Sequence, residues 1–214
     1  MNDEREMEIL YRDTSLMVVN KPSGLLSVPG KGPMGKDSVT GRVRELVPEC
    51  IAHPEVHRLD MDTSGLMVLA LEKEVQAELS RQFREREIFK RYIALLDGLV
   101  TAEKGRIELP FRLDPDRRPL QVYDEEFGKV GVTDWSKVGV EEARTRVEFY
   151  PITGRTHQLR VHSAHAKGLG FPIVGDTLYG GHPRHGELCL HATELHFYHP
   201  VLAEKMQFVQ PPLF

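Results

Sequence analysis

The chain has 214 residues, 40% of them hydrophobic and 28% charged, with a formal net charge of −4. That balance is ordinary for a soluble globular protein with a real core, and the length suits one large α/β or α+β domain, or one domain with a small lobe. No apolar run approaches the ~18 residues needed to cross a bilayer, and the acidic start MNDEREMEIL is unlike a basic secretory leader. The two cysteines, Cys50 and Cys189, lie far apart without CxxC spacing, which excludes a disulfide scaffold or a cysteine-rich zinc site and makes the cytoplasm the expected compartment. The acidic balance also disfavours indiscriminate nucleic-acid binding. Such binding would need a focused basic face, and two clusters offer one: Arg81, Arg84, Arg86, Lys90 and Arg91, set against only Glu85 and Glu87, and Arg155, His157 and Arg160. Acid collects at residues 1–8, an expected N-terminal tail, and at Asp124–Glu126.

In chain order, residues 8–11 and 16–20 (EILY, LMVVN) predict two short strands joined by a polar turn. Pro22, Gly24, Pro29, Gly30, Gly32, Pro33 and Gly35 predict a loop. Asp37 is the expected cap of a helix whose Val39, Val43, Leu46 and Val47 share a face, and Pro48 stops it. Val56–Leu59 and Leu66–Leu71 are expected strands around the turn DMDTSG. A helix is expected over 73–86, with Val75, Leu79 and Phe83 spaced by four, and then a strand over Phe89–Asp97. From 99 to 150 the chain is strand-like, with ARTRVEFY alternating. Thr156–Lys167 predicts a helix closed by Gly168, and 188–198 and 205–209 predict final strands. Strands dominate without strict βα alternation, so the expected class is α+β, with a mixed, largely antiparallel sheet flanked by a few helices.

The most informative stretch is His57-Arg58-Leu59-Asp60-Met61-Asp62-Thr63-Ser64-Gly65. It sets a carboxylate at a strand end on a glycine-containing turn, where a rigid scaffold can present a reactive group; by spacing alone a plain polar hairpin turn is the favoured reading. Calcium binding is excluded. Asp60, Asp62, Ser64 and Gly65 match loop positions 1, 3, 5 and 6, but position 12 is Leu71, where a bidentate Glu is required. The ten histidines, among them His162, His165, His182, His185, His191, His196 and His199, show neither HExxH spacing nor accompanying cysteines, so no metal site is expected. Dinucleotide, P-loop and serine-hydrolase motifs are absent.

Five segments in order resemble the RluA family of RNA pseudouridine synthases: Tyr11–Gly30, His57–Gly65, Phe89–Ala94, Ile152–His162 and Gly175–Gly180. The second has the family's HRLDxxTSG form and the fourth its TGRxHQxRxH form. The resemblance covers about residues 9 to 210 and implies one catalytic domain over 9–214 with the pseudouridine-synthase fold and no preceding S4-like RNA-binding domain. LLSVPG and FREREIFKRY are similar to the branch that implies short stem-loop targets in large-subunit ribosomal RNA and tRNA.

Roles follow from that resemblance together with side-chain chemistry. Pseudouridine formation breaks the N1–C1′ bond, turns the base and rejoins it through C5. The sugar centre becomes electrophilic, as in a glycosidase, so a single carboxylate suffices, and Asp60 is implied. Whether it attacks sugar or base is left open. A partly desolvated carboxylate needs a partner cation, and the resemblance assigns that to Arg160; a surface arginine is the bland reading. Tyr92 is implied as the aromatic that stacks on uracil, with proton abstraction from C5 less natural for a phenol near neutral pH. Arg58 is implied in base extrusion, where its planar guanidinium can fill the vacated stack. His57, Lys90, Arg155 and His157 are assigned to RNA contact, with a solvated charged face the bland reading of Lys90, and Leu159 to the apolar wall around the base. Asn20 and Lys21 are expected to support the active-site loop. An isomerisation without redox or net group loss calls for no cofactor. RNA is the expected partner, with no membrane, no obligatory protein partner and a monomeric state. Two other readings are a non-catalytic RNA-binding or ribosome-assembly factor, disfavoured by intact Asp60, Tyr92 and Arg160, and a glycoside or nucleoside hydrolase, which would release free uracil.

Overall fold

A computed structural model of the chain describes residues 6–30, 37–180 and 187–214. They form two compact units, one of residues 1–90 with 191–213 and the other of residues 91–190 with Phe214.

The first unit holds β1 (Glu8–Arg12), β2 (Leu16–Lys21), α1 (Val39–Leu46), β3 (Ser64–Ala70), α2 (Lys73–Arg84) and β10 (Lys205–Val209). Strands β1, β2 and β3 run antiparallel in that order. β3 then pairs in parallel with β9 (Leu190–Tyr198) through Ser64↔His191 and Gly65↔Ala192, and β10 pairs antiparallel with β9. One face of α2, carrying Val75 and Leu79, packs with Leu16, Val18, Leu66, Val68, Leu195 and Phe197 into a core. Such an apolar stripe at helical spacing is what anchors an amphipathic helix to a sheet.

The second unit contains β5 (Lys104–Leu113), β6 (Gln121–Tyr123), β7 (Lys129–Glu141), β8 (Arg144–Pro151) and α3 (Gln158–Ala164), and the larger part of β4 (Phe89–Leu96). Here β4-β8-β7-β5-β6 are antiparallel neighbours. α3 lays Leu159 and Val161 into a core with Phe111, Trp135, Val147 and Phe149. The class is α+β, as the sequence predicts.

Four local expectations are corrected. Ser38, not Asp37, caps α1: its side chain accepts from Gly41 N at 3.1 Å, while Asp37 pairs with Arg42. Leu46, the last residue of α1, is 50% exposed although its spacing puts it on the side of Val39 and Val43. Val56–Leu59 is not a strand; only the adjoining Glu55 bridges to Leu69, since the backbone of Leu59 is taken by a side chain from the preceding loop. The final helix is seven residues long instead of twelve, because His157 enters it in a left-handed conformation and His165 leaves it in an extended one. Gly32, Pro33 and Gly35 of the expected loop, and most of the acidic tail, lie outside the described residues.

Candidate active site

In the first unit, the Asp60 turn is held almost entirely through its own backbone. The loop that follows β2 runs beside it and supplies a donor to one carbonyl after another. Ser27 Oγ donates to Leu59 O at 2.6 Å and accepts from Leu59 N at 3.0 Å. Gly24 N and Lys21 Nζ both donate to Met61 O, at 2.9 and 2.8 Å, and Ser23 Oγ donates to Asp62 O at 2.8 Å. Within the turn, Thr63 N closes on Asp60 O at 3.1 Å. Four successive carbonyls are thereby satisfied, which fixes the half-buried Asp60 side chain without any bond to its carboxylate being required for the purpose. The exit of the turn is equally constrained. Gly65 has φ +113° and lies so close to β9 that a Cβ would sit 2.4 Å from Ala192 O, so only glycine fits.

Lys21 is fully buried, and its ammonium uses all three protons on carbonyls: Pro22 O at 2.9 Å, Leu25 O at 2.8 Å and Met61 O. Burial draws its pKa down to about 7, while the carboxylates of Asp62 and Asp60 push it back up. Lys21 therefore braces the loop and is also a cation within electrostatic reach of Asp60.

His57, expected to contact RNA, spends one ring nitrogen inside the protein. Its Nε2 accepts Val68 N at 3.1 Å, and its ring stacks on Phe83 at 4.5 Å between centroids. Burial and the Lys90 charge hold its pKa down at about 3, so it is a neutral anchor tying the turn to β3. Lys90 is half-buried, 6.0 Å above the Phe83 ring, with its pKa lowered by burial; the solvated-face reading fails for it. Arg58, by contrast, is exposed.

In the second unit, α3 and the turn before it carry Arg155, His157, Leu159 and Arg160. Gln158 secures the turn with all its bonding capacity. Its Oε1 accepts from Thr153 Oγ1 and Arg155 N, and its Nε2 donates to Val132 O and Thr133 Oγ1, at 2.7, 3.1, 3.0 and 2.9 Å. Arg160 is buried, not a surface arginine. Its Nε and Nη2 donate to the two carboxylate oxygens of Asp176, at 2.8 and 2.7 Å, with both side chains at 2% exposure or less. Asp176 Oδ1 also accepts Leu178 N and Tyr179 N. The Arg160 guanidinium lies 5.4 Å from the Tyr179 ring. His157, at φ +56° and 9% exposure, places Nδ1 2.8 Å from Tyr179 Oη, which accepts from Gln121 N. A non-glycine residue in that conformation costs of order 1–3 kcal/mol and persists where the surroundings enforce it. Leu159 is buried in the core, Tyr92 is half-buried on β4 opposite Phe149 of β8, and Arg155 is exposed.

The first unit thus gathers Asp60, Asp62 and Lys21 around one turn, and the second gathers Arg160, His157, Asp176 and Tyr179 around one helix. Sequence reasoning gives Asp176 and Tyr179 no role, although GDTLYG is a visible motif. It misses altogether a link from Ser64 Oγ to His191 Nδ1 at 2.8 Å. The basic cluster of 81–91 is a correction of a different kind. Arg81 is bound by Glu78, Glu85 and Glu87, and Arg91 by Glu148, so much of that charge is spent within the protein. Among the described residues no three His, Cys, Asp or Glu side chains are placed to hold a metal ion; His182 and His185 lie outside them.

Comparison with known proteins gives a consistent picture. The RNA pseudouridylate synthase family model matches residues 15–165. The dual-specificity RNA pseudouridine synthase RluA of Haemophilus influenzae is 45% identical over 210 residues, covering 96% of this chain and 93% of that protein. Its namesake from Escherichia coli K12 shows the same identity and coverage. Among solved structures, human RNA pseudouridylate synthase domain containing 1 is similar at a TM-score of 0.77 and 28% identity, covering 99% of this chain and 86% of that one.

Proposed function

The chain belongs to the RNA pseudouridylate synthase family and is an isomerase of that kind, and from this premise we propose that it converts specific uridines in stem-loops of large-subunit ribosomal RNA and tRNA, with Asp60 as the nucleophile. The carrying observation is the turn itself: four consecutive carbonyls satisfied around one half-buried carboxylate. A nucleophile that must meet a sugar or base carbon in one geometry benefits from a backbone that cannot relax.

In this reading, N1–C1′ breaks while Asp60 stabilises the electron-poor fragment covalently. The base turns, C5 bonds to C1′ as the bond to Asp60 breaks and frees its carboxylate, C5 loses its proton and N1 ends protonated. Arg58, exposed beside the turn, replaces the extruded base in the stem. Tyr92 stacks on the uracil, Leu159 contributes the apolar wall, and Arg160 supplies positive charge. Phosphate contact falls to the exposed Arg155, whereas the burial of His157 and Lys90 favours positioning roles for both. Targets in more than one RNA are supported by relatives named dual-specificity. The family match runs across both units, which supports treating residues 9–214 as one catalytic domain. The reading includes a cytoplasmic monomer, no cofactor and no obligatory protein partner; among the described residues no helix is long and apolar enough to cross a membrane.

The test is tritium release from [5-³H]uridine-labelled tRNA and ribosomal RNA fragments. Wild type should release tritium and leave pseudouridine in the digested RNA. Asp60→Ala should lower turnover by roughly 10³-fold or more, the scale of a deleted nucleophile, with RNA affinity nearly unchanged. Near-normal turnover in Asp60→Ala would remove that residue from the mechanism.

A further inference from the structure

His191 is a buried titratable group of the first unit to which the proposed mechanism gives no use. This second residue of β9 is 5% exposed and lies opposite Ser64 in the parallel β3–β9 pairing. Its two nitrogens have different partners. Nε2 lies 3.0 Å from Gln210 O, and a carbonyl only accepts, so Nε2 carries the hydrogen. Nδ1 is then a lone pair, and the Ser64 hydroxyl at 2.8 Å must be the donor. Gln210 is itself fixed, its N donating to Thr193 O at 2.8 Å. The chain Ser64–His191–Gln210 therefore has one possible direction of hydrogen bonding. Burial pulls the His191 pKa down to about 4, against a smaller opposite pull from the Gln210 carbonyl, so the ring stays a neutral acceptor at working pH.

Ser64 opens β3 at the exit of the Asp60 turn, next to Gly65, whose close approach to Ala192 already excludes a side chain. The entry of the turn is held by the 22–27 loop and its exit by these two adjacent contacts. We propose that His191 is a positioning residue for pseudouridine formation, acting through the Ser64 hydroxyl to fix the exit of the Asp60 turn, with Gln210 fixing the tautomer that makes this possible. It touches no substrate; it sets where the nucleophile stands. A displacement of about 1 Å at a reacting group can cost about 10²-fold in rate.

The inference rests on the functional reading above, and the experiment separates the two. Single-turnover tritium release and RNA affinity would be measured for wild type, Ser64→Ala, His191→Leu, the double variant, Ser64→Thr and His191→Asn, each at a temperature where melting shows it folded. Ser64→Ala and His191→Leu should each slow the chemical step by about 10-fold or more with RNA affinity within about twofold. The double variant should be no slower than the slower single one, because both remove the same contact. Ser64→Thr keeps the hydroxyl, and His191→Asn places an amide oxygen where Nδ1 was, so both should recover most of the rate. The imidazole ¹⁵N spectrum supplies a readout free of activity: His191 should be the Nε2–H tautomer, with its Nδ1 resonance moved by Ser64→Ala. Wild-type rates in the single variants, additive losses, a loss confined to RNA affinity, or an Nδ1–H tautomer would each overturn the positioning role while wild type remains active. An inactive wild type would overturn the functional reading and this role with it.

Discussion

The two units solve one problem, burying a cation close to candidate catalytic residues, in opposite ways. In the first, Lys21 satisfies its three protons on backbone carbonyls, so its charge is spread over the loop it braces. In the second, Arg160 faces a full counter-charge, Asp176, which is itself held by two backbone N–H groups. A lysine on neutral acceptors keeps a destabilised charge, which is why its pKa falls toward 7. An arginine stays charged whatever surrounds it, and its planar fork matches a carboxylate. The first arrangement makes a rigid turn and the second a rigid charge.

Breaking the pair in the second unit should have the larger effect. Asp176→Ala removes one partner of a buried ion pair, which costs about 3–5 kcal/mol. Lys21→Met also orphans carbonyls, but it relieves the desolvated charge at the same time and leaves Met61 O with Gly24 N. A loss of about 1–3 kcal/mol is expected. Urea unfolding of the two variants checks the order, and a larger loss in Lys21→Met would show that the lysine charge is balanced far better than its acceptors suggest.

Both units also bury neutral imidazoles, and acid should expose them. Burial holds the pKa values of His57 near 3 and of His162 and His191 near 4, below the ordinary 6.5. Above pH 6.5 neither folded nor unfolded chain protonates these rings. As pH falls from 6.5 toward 4 the unfolded chain gains protons that the folded one refuses, so stability is lost across that window, by up to about 1.4 kcal/mol per pH unit for each group. His162 is the cleanest case. It is fully buried, and neither ring nitrogen has a hydrogen-bond partner among the described residues. Its ring meets Phe111 edge-on. His162→Phe should flatten the dependence of the urea midpoint between pH 6.5 and 4.5 by the share of that one group. An unchanged slope would mean that this ring already accepts a proton in the folded state.

Features set by near neighbours along the chain are legible in the residue pattern alone. The alternation of LMVVN and ARTRVEFY gives strands, and Val75 and Leu79, with the partly buried Phe83, give the apolar stripe of α2. Adjacent candidates blur the rest: Asp37 and Ser38 are both good caps, and only the backbone decides between them. The Asp60 motif can be read, but not the way it is held. Ser27 reaches Leu59 across 32 residues and Ser64 reaches His191 across 127, and nothing in either local pattern marks the partner. Charge is misread for the same reason. Arg81 looks basic in sequence, yet three carboxylates converge on it once α2 and the turn after it form.

The smallest expected effect concerns backbone strain, which again differs in kind between the units. Arg86 follows α2 at φ +61°, where Glu87 N donates to Gln82 O at 2.9 Å, the hydrogen bonding of a helix C-terminus that glycine favours. Arg86 is exposed, and it shows a left-handed backbone that its turn imposes. His157 enters α3 at φ +56°, but it is buried and bonded to Tyr179. Glycine at either place would relieve about 1 kcal/mol of conformational cost and return part of it as extra freedom in the unfolded chain. Arg86→Gly should therefore gain about 0.5 kcal/mol and leave tritium release unchanged. His157→Gly should lose stability, because the relief of strain does not make up for the forfeited imidazole contact, a hydrogen bond worth about 1 kcal/mol plus the burial of the ring. The two melting shifts should have opposite signs. If both variants melt higher, the His157 conformation owes nothing to Tyr179; if both melt lower, the turn after α2 is held by the Arg86 side chain and not by its backbone alone.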